Sequence, residues 1–210
     1  MTPDPERWNS LWLQLNARGD GQAALKQLVK LYSQPHRAYH NLQHLQTMLT
    51  EFDSARQLCA NPEAVEMAIW FHDAVYDTHA KDNEEKSAAL CAEILRAALV
   101  STEFIERVGA LILTTKHAST PDAAQDSDAS VLVDADLAVL GKPAEEFDRY
   151  ERNIRAEYAW VSADAFRAGR TTVLRSFLDR PRIFATEHFH KLYEATARLN
   201  LANSIKALAS

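Results

Sequence analysis

Apolar residues recur along this chain at helical spacing almost from its start. Trp8, Leu11, Trp12 and Leu15 stand at i, i+3, i+4 and i+7, which predicts a first helix ended by Gly19 and Gly21. Leu25, Leu28, Val29 and Tyr32 mark a second, closed by Pro35, and Leu42, Leu45, Leu49 and Phe52 a third from about Asn41. Asn61-Pro62-Glu63 combines a cap residue, proline at the first helical position and an acid in the first turn, so a helix is expected over 62–76. Asp82 with Glu85 has the form of a capping box for a helix to about Leu99, with Leu90, Ile94 and Ala98 inward and Glu84, Glu85 and Lys86 in a solvated first turn. Ser101 or Thr102 caps the next, whose Ile105, Val108, Leu111, Ile112 and Thr115 face the core. Residues 118–129 are poor in apolar side chains and read as a loop, a candidate cover over a site. Beyond it the helical pattern resumes through Val133, Leu137 and Leu140, then Phe147, Tyr150 and Ile154, then Val173, Leu174, Phe177 and Leu178, with a break at Pro181. Thr186 starts a last helix through Leu192, Leu199 and Ile205. No strand set, repeat or linker interrupts this, and a single all-α bundle of about nine or ten helices over 1–210 is expected.

Ionisable residues break into the apolar stripes at three places. Val65, Ile69 and His72 share one stripe, which puts His72 on a core face with Asp73 beside it, flanked by Trp70, Phe71 and Val75. A desolvated carboxylate needs a partner, and a divalent cation supplies one, because imidazole and carboxylate both ligate Zn, Mn, Fe, Co or Ni. His40 and His44, four apart, would share a helix face, so that one imidazole binds a metal and the other stands over what the metal holds. Val133, Asp136, Leu137 and Leu140 form a stripe that carries Asp136 inward, whereas Asp134 points about 200° away around the axis and is the reserve candidate.

Composition narrows the classes. The 210 residues, 47% hydrophobic and 25% charged with five glycines, suit one globular domain. The net charge of −6 argues against a nucleic-acid polymer as partner. The apolar runs are short of a bilayer span, and residues 1–17 lack the pattern of a signal peptide, so a cytoplasmic protein without a membrane partner is expected. Cys59 and Cys91 lack metal-ligand spacing and read as reduced thiols. Exposed aromatics on the first or last helices would be the place for a homodimer contact.

Taken in order, His44, His72-Asp73 and Asp136 supply two imidazoles and two carboxylates from three helices, a mixed set that leaves coordination positions open. The order His, His-Asp, Asp resembles the HD-domain superfamily of metal-dependent phosphohydrolases, and Tyr39-His40-Asn41 followed by His44 is similar to the matching segment of the cyclic-nucleotide phosphodiesterases. More closely, Arg37-Ala38-Tyr39-His40-Asn41, Trp70-Phe71-His72-Asp73, Asn83-Glu84-Glu85-Lys86-Ser87-Ala88 and Asp134-Ala135-Asp136-Leu137 resemble a bacterial family described as predicted metal-dependent HD phosphohydrolases, over roughly residues 8–203.

The resemblance implies a hydrolase of a small phosphoester or nucleotide. Its metal ligands would be His44, His72, Asp73 and Asp136, and its cofactor one divalent ion per chain (Mn, Co, Ni, Zn, Fe or Mg). Metal-bound hydroxide would be the nucleophile and His40 the general acid. Arg37, Lys116 and His117 are candidate phosphate contacts, and Asp77 a candidate for positioning water or a hydroxyl group. Where the phosphodiesterases continue into another Asp-His pair and a glycine turn, this chain has Ala74-Val75-Tyr76-Asp77, and a mononuclear site is expected. Two other classes remain: a di-iron oxygenase, which would enlist His79 or His117, and a non-catalytic module with a structural metal.

Overall fold

The computed structural model describes residues 4–117 and 125–209, and among them every regular element is helical. Ten α-helices follow one another: α1 (Pro5–Gln14), α2 (Gly21–Tyr32), α3 (Leu42–Ala55), α4 (Pro62–Phe71), α5 (Asn83–Ala97), α6 (Thr102–Thr114), α7 (Ser127–Leu137), α8 (Ala144–Glu157), α9 (Ala163–Leu178) and α10 (Glu187–Leu208). Short 3-10 turns extend α3 over Arg56–Leu58 and α7 over Ala138–Gly141. The all-α expectation holds. None of the described helices is long and apolar enough to cross a membrane.

Helix α4 is the axis of the fold. Every residue from Ala64 to Phe71 is buried, which marks a helix covered all round rather than on one stripe. Helices α3, α6 and α7 pack against it, and α5 lies along α6. Trp8 on α1 closes one side, its ring edge-on to Trp70 with centroids 5.2 Å apart. On the other side α10 packs against α9 and the turn after α7. That approach is close enough that a Cβ on Gly141 would overlap Tyr193, so glycine is required there.

Several boundaries differ from the sequence expectation, each for a local reason. Helix α1 ends at Gln14, before the glycines: Asn16 turns left-handed at φ 50°, and Gly21 opens α2 under an Asp20 cap that accepts from the Gln22 and Ala23 amides. Helix α4 stops at Phe71 instead of continuing to 76. Side chains from elsewhere take the backbone over: Arg37 donates to the Asp73 and Ala74 carbonyls at 2.6 and 3.0 Å, and Ser87 Oγ accepts from the Val75 amide at 3.0 Å. On α5 the buried stripe is Ser87, Cys91 and Leu95, one position round from the expected one, so Leu90 and Ile94 are half-buried. Asp82 caps α5 without a side-chain hydrogen bond, pairing instead with Lys86. Helix α7 begins at Ser127, inside the stretch expected to be loop; residues 118–124 of that candidate cover lie outside the described residues. Leu192 and Leu199 on α10 are exposed, and Phe189, Ala197 and Leu201 face inward. Val173 on α9 is likewise exposed.

Candidate metal centre

His44 lies in the first turn of α3, whose cap is Asn41, its side-chain oxygen accepting from the Gln43 and His44 amides at 2.8 and 3.4 Å. His72 is the residue that ends α4, Asp73 follows in the turn, and Asp136 stands near the end of α7. These elements bring all four to one place. His44, His72 and Asp136 offer ligand atoms within 4.8 Å of one another. His44 Nε2 is 3.1 Å from His72 Nε2 and 3.2 Å from Asp136 Oδ1. Asp73 Oδ2 stands 2.9 Å from His72 Nε2 and 3.6 Å from His44 Nε2.

The donor chemistry fits a cation. His72 Nδ1 donates to the Ile69 carbonyl at 2.9 Å; a carbonyl only accepts, so the proton belongs on Nδ1 and neutral His72 turns the Nε2 lone pair toward the cluster. That lone pair meets a second imidazole nitrogen and a carboxylate oxygen. A proton or a metal ion is what reconciles them. In the metal-free protein the proton serves: burial works to lower the His72 imidazole, but Asp73 beside it reverses this and raises it to about 9. Burial likewise works to raise Asp73 and Asp136, yet the facing imidazoles hold both carboxyls well below the usual range. Four mixed N/O ligands of this kind suit a divalent transition metal.

A second cluster adjoins the first. His40 is in the turn before the α3 cap, not on the helix with His44, although the two rings remain 5.8 Å apart. Glu157, the last residue of α8, accepts from the Tyr39 and His40 amides at 2.7 and 2.9 Å, from His40 Nδ1 at 2.7 Å and from the Tyr76 hydroxyl at 2.9 Å. Tyr76 also stacks on the His40 ring, centroids 4.2 Å apart. Burial lowers His40, but Asp73 and the hydrogen bond to Glu157 outweigh it, so its pKa is raised. Glu157 was not anticipated, although the pattern held a signal: it continues the α8 stripe of Phe147, Tyr150 and Ile154 as an acid on a core face.

The remaining candidates divide. His117 reaches the cluster, donating from Nε2 to Asp136 Oδ2 at 2.8 Å from a left-handed backbone position at φ 54°. Arg180 fixes that strained residue by donating to its carbonyl at 2.7 Å. Lys116 is paired with Glu85 at the side of the cavity described below. Arg37 is buried beneath the site between the rings of Tyr32 and Tyr76, and its guanidinium is spent on the carbonyls of His40, Asp73 and Ala74, which makes it a strut rather than an anion contact. Asp77 is not brought in: its side chain is exposed and bonds the amide and ring of His79. His79 is exposed as well and stacks on Trp160, centroids 4.0 Å apart. Asp134, the reserve candidate, is fully buried but faces away, accepting from the Ala185 and Thr186 amides and the Thr186 hydroxyl where α10 begins. The cysteines are free thiols, and burial pushes Cys59 up to about 12.

His40, Asp73, His117 and Asp136 all line one cavity of about 590 Å³. No family model, curated protein or solved structure matches this chain.

Proposed function

We propose that the protein is a metal-dependent phosphohydrolase acting on a small phosphoester. What carries the reading is the convergence of His44, His72, Asp73 and Asp136 beside a cavity that also presents His40. Those four residues would hold one divalent ion. When bound, such an ion supplies positive charge to phosphoryl oxygens and acidity to water.

The other steps belong to the chain. The Ile69 carbonyl fixes the His72 tautomer, so Nε2 is the nitrogen that would ligate a bound ion. His117 holds Asp136 from the far side, leaving Oδ1 toward His44. Glu157 takes His40 Nδ1 and both local amides, so Nε2 is the nitrogen left to give a proton to the departing alkoxide. Asp73 and Glu157 raise the His40 pKa, which favours the protonated imidazole.

The test is a panel of phosphomonoesters and nucleotides with Mn, Co, Ni and Mg, run on the parent, Asp73→Ala and His40→Ala. Asp73→Ala is expected to lose metal and activity together. His40→Ala should keep metal and lose about 10²- to 10⁴-fold in turnover. Equal hydrolysis by both variants and the parent would overturn the reading.

A further inference from the structure

The cavity lining combines two chemistries. His40, Asp73, His117 and Asp136 come from the candidate metal centre and its surroundings, and Leu140, Ile154, Tyr158, Phe166 and Phe177 make an apolar wall, with the Phe177 ring edge-on to His117 at 5.8 Å between centroids. Several polar side chains of the lining that would read a nucleobase edge or a second phosphate are already engaged. The Asn83 amide both donates to the Asp77 carbonyl at 2.9 Å and accepts from its amide at 3.1 Å. Thr115 Oγ1 donates to the Ile112 carbonyl at 2.7 Å. Of the Lys and Arg side chains lining the cavity, Arg170 is paired with Glu151 and Lys116 with Glu85, and Lys81 is exposed to solvent. A polyphosphate would bring charges that meet few uncommitted donors, next to two carboxylates.

From this lining we infer that the substrate is a monophosphate ester of an apolar alcohol, alkyl or aryl, its single phosphoryl group at the metal centre and its carbon skeleton against Ile154, Phe166 and Phe177. The inference rests on the phosphohydrolase reading above and narrows its substrate class. Apolar burial predicts a gain of about three- to fourfold in affinity per methylene that enters the wall, since each is worth about 0.8 kcal/mol.

Calorimetric titration of the full-length, Mn-loaded protein with non-hydrolysable phosphonates tests this without turnover. Affinity should climb from methyl- through butyl- to hexylphosphonate, phenylphosphonate should bind more tightly than inorganic phosphate, and ATP should bind no more tightly than phenylphosphonate. Two variants locate the wall. Phe177→Ala should flatten the chain-length series. Gly169 lines the cavity from α9 and has nothing within 4 Å of an added Cβ, so Gly169→Leu fits the helix and should shift the optimum to shorter chains. If phosphate and all phosphonates bind equally, or ATP binds most tightly, the apolar-alcohol assignment fails while the phosphoester reading stands. If neither phosphate nor any phosphonate binds, both fail.

Discussion

Arg37 and Asp134 show how a charged side chain in a motif can serve the backbone instead of a ligand. Arg37 holds three carbonyls that the end of α4 and the turn before α3 leave without partners. Arg37→Ala should therefore destabilise the ligand-free protein by about 2–4 kcal/mol, because buried acceptors lose charged donors. Urea unfolding without phosphate or metal measures it; an unchanged midpoint would return Arg37 to the phosphate-contact role expected from sequence. Asp134 is a similar case. Burial raises it to about 6 even though three donors from the start of α10 work the other way. Asp134→Ala should cost about 1–3 kcal/mol with metal content unchanged, since it leaves those donors buried and unpaired. The two carboxylates of Asp134-Ala135-Asp136 thus part company: one locks a helix start, the other joins the imidazoles.

At the scale of elements, the junction of α8 with the turn before α3 depends on the Glu157–His40 pair. His40 is raised above its ordinary 6.5, so its share of stability is complete below 6.5 and fades as pH rises through the folded value. Glu157 is lowered from its ordinary 4.5, since the bonds from His40 and the two amides outweigh burial, so its share is complete above 4.5 and fades as pH falls through the folded value. The stability difference between the parent and Glu157→Gln should then be widest between about pH 4.5 and 6.5 and narrow on either side. Thermal unfolding across pH 3–9 tests this; a difference that grows steadily above pH 7 would contradict it. Helix identity was legible from periodicity, since α6 buries the residues its spacing selects and α2 and α8 do so for all but the half-buried Val29 and Tyr150. Helix ends were not: α4 stops where Arg37 and Ser87, distant in sequence, offer better partners than another turn. His40 was placed near His44 for the wrong reason, by a turn and Glu157 rather than a shared helix face.

For the whole molecule, His72 and Asp136 were readable because each interrupts an apolar stripe, and a desolvated ionisable group has few uses; Asp73 came from standing beside His72 and His44 from its spacing to His40. Glu157 obeyed the stripe rule unseen, whereas Asp77 and His79 were candidates on the family resemblance alone, and the chain turns them into solvent. What joins the elements into one machine is the meeting of α3, α4 and α7 at a single point. That meeting is tested most directly by titrating chelator-stripped protein with Co(II) and following its visible absorption. The account predicts one equivalent bound per chain, with affinity falling about a hundredfold or more in His72→Ala and Asp136→Ala and unchanged in His79→Ala. No binding by the parent, or binding undiminished in His72→Ala and Asp136→Ala, would contradict it.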